Sequence, residues 1–246
     1  MKESFNYLLV GDGRLAHHLN YYFRQLNISF ETWSRRTDTF EDLGQKADKA
    51  NRILLLISDA SIESFVDKHL KKYFSELNRG KLLIHCSGAL VSKSIIGVHP
   101  LQSFTKDSLY SLSEYQKICF FYDKNNYDLS FQDIFPELTN PNFVIEVEKK
   151  ALYHAFCVGA NNFTTILWQT FAQRMNDEFN VPFDELKYYM QTTFKNIDNN
   201  IEKALTGPFV RNDQKTINSN RDSLANDNFK VLYEAFLNFY NLEKSK

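Results

Sequence analysis

The stretch that most constrains this chain lies near its start. An apolar run over residues 5–10 stops at Gly11-Asp12-Gly13-Arg14-Leu15-Ala16, and a helix-like segment follows. A second apolar run, Ile28–Trp33, then ends in Ser34, Arg35 and Arg36. Strand, glycine pair and helix in that order form a βαβ unit whose turn receives the phosphates of a dinucleotide. Gly11 permits the tight turn out of the strand, and Gly13 lets backbone N–H groups approach a pyrophosphate. Ala16 takes the third position, where the helix packs closely. Gly13, Arg14 and Leu15 open the helix, where unpaired N–H groups and the helix dipole favour an anion. The chain has only 8 glycines in 246 residues, so two in one turn carry weight. A plain strand–turn–helix with no ligand is the competing reading.

The end of the second strand bears on which dinucleotide fits. An Asp or Glu there would accept the ribose 2′-OH of NAD. This chain instead has Ser34, Arg35 and Arg36, and guanidinium groups pair with a 2′-phosphate that a carboxylate would repel. NADP(H) is therefore expected. Glu31 is the competing NAD feature, but it falls inside the strand.

Further along, residues 14–26 read as a helix, and Thr37–Ala50 holds a short one. Arg52–Ser58 is a continuous apolar run, as in a parallel strand buried on both faces. Its end, Ser58-Asp59, sits where open α/β sheets bind ligands. A helix is expected over 62–77, strands over 81–85, around 95–98 and over 118–122, a helix over 127–138, and a last strand over 142–147. These alternating segments predict a Rossmann-like, doubly wound α/β sheet over residues 1–147. From residue 148 the strand signal stops. One long helix is expected over 150–179, then helices over 184–205, 214–224 and 228–242, with Thr206-Gly207-Pro208 as a break. Residues 148–246 are thus expected to be an all-α C-terminal domain.

Composition excludes several classes. Lys and Arg number 29 against 30 Asp and Glu, so there is no footprint for nucleic acid. No apolar run is long enough to cross a membrane, and no signal pattern precedes the glycine turn. Cys86, Cys119 and Cys157 are odd in number and scattered, which suggests reduced thiols and a cytoplasmic protein. Cys86 is expected to be a buried thiol rather than a reactive one. No group of residues has metal-ligand spacing.

Three groups of residues resemble a known bacterial family. They are Gly11-x-Gly13-x-x-Ala16; His85-Cys86-Ser87-Gly88-Ala89 with His99-Pro100-Leu101-Gln102-Ser103-Phe104; and Leu152-Tyr153-His154-Ala155 with Asn162, followed by Leu205-Thr206-Gly207-Pro208 with Arg211, Asp213 and Thr216. That family pairs a Rossmann-like NADP domain with an uncharacterised C-terminal helical domain. It belongs to the 6-phosphogluconate dehydrogenase-like superfamily, with ketopantoate reductase, pyrroline-5-carboxylate reductase and prephenate dehydrogenase. The resemblance implies an NADP-dependent oxidoreductase, without fixing a substrate, and a homodimer formed through the helical domain.

Such an enzyme must bring a substrate carbon to the nicotinamide and place a donor on the atom that gains charge. Lys150, His154 and Asn162 fall on one helix. His154 is turned about 40° from Lys150, and Asn162 about 80° further, so all three can face one cleft between the domains. β-Hydroxyacid dehydrogenases carry Lys-x-x-x-Asn on the equivalent helix, and Lys150-x-x-x-His154 resembles it. His154 is read as general acid or carbonyl polariser, Asn162 as orienter and Lys150 as support or alternative acid. A histidine satisfied by packing, beside a solvated lysine, is the bland alternative. The His99-Pro100 loop resembles the His-Pro-Met loop of prephenate dehydrogenases, so His99 is expected at the nicotinamide or substrate. Ser87 and Gly88 are expected near the nicotinamide ribose, and His85 reads as a core histidine. Gln102 and Arg211 are candidate substrate contacts, Arg211 as a clamp on an anionic group. Asp213 reads as a helix cap. The combined expectation is hydride transfer between NADPH and a small, anionic keto or imino acid; the alternative is an NADP(H)-binding sensor or scaffold without catalysis.

Overall fold

The computed structural model describes residues 7–73, 81–124 and 129–244. The first residues of the opening apolar run, the end of the helix expected over 62–77 and the start of that over 127–138 lie outside them. The chain divides into two compact units, the first ending at Ile166 and the second running from Leu167.

The first unit is built on a seven-stranded sheet. Its strands are β1 (Tyr7–Val10), β2 (Phe30–Trp33), β3 (Arg52–Leu55), β4 (Leu82–His85), β5 (Ile96–Pro100), β6 (Phe120–Asp123) and β7 (Asn142–Ile145). All seven expected strands are present. The order is β2-β1-β3-β4-β5-β6-β7, and β1 to β5 run parallel. β6 pairs antiparallel with β5 and parallel with β7. The reversal follows from the β5–β6 connection. It holds only the one-turn helix α4 (Leu112–Tyr115), where a parallel return needs a crossover helix.

The central strands are buried on both faces, while the edge strands β2 and β7 are largely open. Tyr7, Leu9, Leu54, Ile84 and Val98 pack on one side with α1 (Arg14–Gln25) and α5 (Phe131–Ile134). Leu8, Val10, Ile53, Leu55 and Leu83 pack on the other with α2 (Phe40–Lys49) and α3 (Asp59–Phe65). Short helices start where the sequence offers reciprocal caps: Thr39 with Asp42, Ser111 with Glu114 and Ser130 with Asp133. The expected helix over 127–138 is confined to α5, because Pro136 follows closely.

The helix expected over 150–179 is present, but not as one regular α-helix. It consists of α6 (Lys150–Val158), a π-helical turn over Gly159–Phe163 and α7 (Thr164–Phe179). The first compact unit therefore runs past the expected boundary at 147/148 and includes α6. Tyr153 of α6 lies against Phe121 of β6, with ring centroids 4.6 Å apart.

The second unit is all helical, with the rest of α7, α8 (Phe183–Asn199), α9 (Pro208–Arg211), α10 (Gln214–Ser223) and α11 (Phe229–Lys244). Arg174 of α7 pairs with Asp227 at 2.7 Å, and Phe209 of α9 meets Tyr233 and Tyr240 of α11. Asp213 caps α10 by accepting from the Thr216 backbone N–H at 3.1 Å, as expected. Of the described residues after Leu167, only Leu186 and Ile217 are buried apolar side chains.

Candidate active site

The order β2-β1-β3 reverses chain direction of growth at β1, and a crevice opens beyond the carboxyl ends of β1 and β3 at that switch point. A cavity of about 760 Å³ lies there. Gly11, Gly13, Arg14, Leu15, Ser34, Arg35, Ser58, Asp59, Ser87 and Asn162 all line it, as do Asp12, Trp33, Phe65 and Phe104.

The two glycines serve different ends. Gly11 has φ +131°, and a Cβ on it would collide with the Leu56 carbonyl oxygen. The turn lets the Gly11 N–H reach the Trp33 carbonyl at 2.8 Å, which joins the ends of β1 and β2. A Cβ on Gly13 would meet nothing within 4 Å. No neighbour in the protein demands glycine there, so the open space is on the ligand side. Gly13 is the N-cap of α1, makes no side-chain cap, and is followed by no acidic residue in the first turn. The N–H groups and positive end of α1 are thus left for an external anion. The residues present fit the pyrophosphate of a dinucleotide. Ala16 is buried beneath this turn in its packing role.

The arginine pair is split. Arg35 lines the cavity. Arg36 does not; its Nε pairs with Asp12, whose Oδ2 also accepts from Ser34 Oγ at 2.6 Å. The Ser34 hydrogen bond, then Arg36, holds the Asp12 carboxyl below the usual carboxylate range. The loop after β2 is further fixed by Asp38, which accepts from the Ser34 N–H at 3.0 Å and pairs with Lys46 at 2.6 Å. Asp12 was not among the expected contacts; its place between the two glycines was the available signal.

Beyond β4 the chain forms a tight polar turn. Ser87 Oγ donates to Asp59 Oδ2 at 2.5 Å and accepts from the Leu90 N–H at 2.9 Å. The Ser87 N–H donates to His85 Nδ1 at 3.2 Å. Gly88 lies beneath two imidazoles. A Cβ on it would sit 2.5 Å from His154 Cδ2 and 3.1 Å from His99 Nε2. The expected pair His99 and His154 is thereby brought together, with ring centroids 6.1 Å apart. His99 Nδ1 is 2.8 Å from Tyr153 Oη. Burial, then the neighbouring His154 and Lys150, push the His99 imidazole down to about 4, so it is neutral at neutral pH.

Lys150 is a correction. It faces no open cleft but is 2% exposed, with its Nζ 2.9 Å from Asp123 Oδ1. Gly97 makes the room, since a Cβ there would lie 2.5 Å from Lys150 Nζ and would collide with Asp123. The ammonium is held in a buried ion pair and is not a free acid. The sequence hid this because Asp123, its partner, lies on a strand 27 residues earlier. Burial raises the Asp123 carboxyl, and Lys150 opposes that shift.

His85 is a core histidine, as expected, fully buried and pushed down to about 3 chiefly by burial. Its Nε2 has no hydrogen-bond partner among the described residues. Cys86 is buried and its thiol raised to about 12, which suits an inert core thiol. Gln102 is exposed and outside the cavity lining; its Oε1 accepts from the Ser103 N–H at 2.9 Å. Arg211 closes α9 in the second unit and is exposed. Among the described residues no group of His, Cys, Asp and Glu could hold a metal ion, and no helix is long and apolar enough to cross a membrane.

With this geometry in view, the comparisons are informative. A family model described as a domain of unknown function, DUF2520, matches residues 118–238, just under half of the chain. The search of curated proteins found no match. Solved structures show the fold. The putative NADP oxidoreductase BF3122 from Bacteroides fragilis is 21% identical, with TM-score 0.73 over 97% of this chain and 98% of that one. Protein TM1727 from Thermotoga maritima is 24% identical, with TM-score 0.68 over 96% of each chain. Pyrroline carboxylate reductase from Plasmodium falciparum, solved with NADP bound, is 16% identical, with TM-score 0.59 over 98% of each. The Rossmann-like sheet followed by a helical region is thus a fold that this chain has in common with them.

Proposed function

We propose that this chain is an NADPH-dependent oxidoreductase that transfers hydride between the nicotinamide and a small, anionic keto or imino acid. The observation that carries the reading is the cavity at the switch point. It joins a bare, uncapped helix start at Gly13 to Arg35 at one end and to the Ser87 turn at the other. The Bacteroides fragilis protein, a putative NADP oxidoreductase, and the Plasmodium falciparum reductase, solved with NADP bound, support the same cofactor. The dinucleotide supplies the hydride when bound. The protein's part is to bind and orient. Gly11 and Gly13 open the backbone to the pyrophosphate, and Ser34 and Arg35 pair with the 2′-phosphate. Ser58 and Asp59 border the path toward the nicotinamide. His154 and His99, over Gly88, offer donors to the oxygen or nitrogen that gains charge, and Asn162 orients the substrate.

Titration with NADPH and NADH, followed by nicotinamide fluorescence, tests this. Wild type should prefer NADPH. Arg35→Ala should weaken NADPH binding by about 10-fold or more, the weight of one charge-assisted contact, and change NADH binding little. Equal losses for both would remove Arg35 from 2′-phosphate recognition. Binding of neither cofactor would refute the oxidoreductase reading.

One observation favours a second reading, a nucleotide-binding sensor without turnover: Lys150 is consumed by Asp123 and supplies no acid. Tight NADPH binding with no turnover over a panel of keto and imino acids would favour it. We further propose a homodimer through the helical unit. Supporting it, Tyr188, Ile201 and Val231 are more than 70% exposed in a unit with two buried apolar side chains among its described residues.

A further inference from the structure

His99 uses one ring nitrogen on the protein and leaves the other free. Nδ1 lies 2.8 Å from Tyr153 Oη, while Nε2 points over Gly88 and forms no hydrogen bond among the described residues. Which nitrogen carries the proton decides what His99 offers. A bare Nε2 would only accept; a protonated Nε2 donates.

The neighbours of Tyr153 decide it. Tyr153 is on α6, half-buried against Phe121 of β6, and its hydroxyl also contacts Cys157 one turn further along the helix. Two orders of donation are available along this row. In one, the Cys157 S–H donates to Tyr153 Oη, and the Tyr153 O–H donates to His99 Nδ1. In the other, His99 Nδ1–H donates to Tyr153, which donates to sulfur. An unprotonated imidazole nitrogen is a far better acceptor than a thiol, and a phenol is a better donor than an imidazole. The first order places each proton on its stronger acceptor. It leaves the proton of the neutral ring on Nε2. Burial, the largest cause, holds the phenol above its ordinary range, so Tyr153 keeps its proton throughout the physiological range.

We propose that Tyr153 is a positioning residue that holds His99 as the neutral Nε2–H tautomer, so that Nε2 is a fixed hydrogen-bond donor beside Gly88. The inference rests on the oxidoreductase reading for what that donor meets: the carbonyl oxygen or imine nitrogen of a keto or imino acid. It deepens that reading by dividing the work of the two histidines. His99, neutral and fixed, polarises the acceptor atom, and no proton leaves it. His154, which lies at the same glycine and makes no such contact with Tyr153, is the group left to move a proton. The titratable groups near His99 are Tyr153, His154, Lys150, His85 and Asp59. Lys150 and His154 act against a second proton on His99, and Asp59 acts for it.

The test is two-bond ¹H–¹⁵N correlation NMR on the full chain labelled in histidine, with His99→Gln to assign the resonances. At neutral pH the wild-type His99 should show Nε2 protonated and Nδ1 bare. Tyr153→Phe removes only the hydroxyl and should lower the ratio of this tautomer to the other by about fivefold, the weight of one neutral hydrogen bond. Cys157→Ala should leave the tautomer as in wild type. A wild-type His99 protonated at Nδ1, or a ratio unchanged in Tyr153→Phe, overturns the proposal. A tautomer lost in Cys157→Ala overturns Tyr153 as the group that sets it. Adding NADPH separates the two levels: if the tautomer behaves as stated but neither NADPH nor NADH binds, the donor role toward a substrate falls with the oxidoreductase reading, while the Tyr153–His99 assignment stands.

Discussion

His85 makes a prediction that needs no substrate. Its ring is fully buried, its Nδ1 accepts from the Ser87 N–H at 3.2 Å, and its Nε2 is unpartnered among the described residues. Burial disfavours the charged ring, protonation would also place a second positive charge close to the Lys150 ammonium, and the imidazole is pushed from 6.5 down to about 3. In the unfolded chain the same ring takes a proton near its ordinary value. A value depressed on folding gives stability that is complete above the unfolded value and is lost as pH falls toward the folded one. Between pH 6 and pH 4, therefore, the unfolded state holds one more proton at this site. Stability falls by about 1.4 kcal/mol for each pH unit from His85 alone, or roughly 2–3 kcal/mol over the window. Other groups also titrate there, so the comparison must be differential. His85→Asn keeps an acceptor for the Ser87 N–H and cannot be protonated. Urea unfolding in a Trp168→Phe background lets Trp33, buried in the sheet core, report the first unit. The variant should be less stable at pH 7, but its stability should fall with acid less steeply, by about 1.4 kcal/mol per pH unit. Parallel curves for the two proteins would refute the reasoning.

Two further outcomes follow from packing. Lys150→Met should destabilise the first unit by about 3–5 kcal/mol, because Asp123 is left as an uncompensated buried charge, whereas the double variant Lys150→Met, Asp123→Leu should recover much of the loss; chemical denaturation checks this, and a single variant as stable as wild type would dissolve the assigned ion pair. Sedimentation equilibrium should show a dimer for the wild-type chain, and Tyr188→Asp with Val231→Asp should shift it toward monomer; a wild-type monomer at micromolar concentration would remove the proposed homodimer.

Much of the fold was legible because its signals are local. Continuous apolar runs such as Ile53–Leu55 mark the central strands, buried on both faces, and the more open edge strands β2 and β7 also fell where strands were expected. The glycine turn was legible for the same reason: φ +131° at Gly11 and the bare helix start at Gly13 are requirements of a few adjacent residues. The π-helical turn over Gly159–Phe163 was not legible, since its apolar spacing passes for a continuous helix; Gly159 was the one hint. That turn re-aims Asn162 relative to His154 and places it at the cavity.

The sequence by itself determined the class of the protein: a Rossmann-like sheet, a glycine turn at the start of its first helix and a helical C-terminal region. Periodicity and turn chemistry act over a few residues and can be read there. Only the tertiary structure decided what the charged and polar side chains do. Lys150 and Asp123 are 27 residues apart, and Asp12 meets Arg36 across 24. Tyr153 meets His99 across 54. Whether a lysine is an acid or half of a buried ion pair, and whether an arginine awaits a phosphate or is already held by a carboxylate, depends on which distant residue packs against it. Hydrogen bonds and ion pairs act over a few ångströms of space, and no pattern of spacing along the chain encodes that distance.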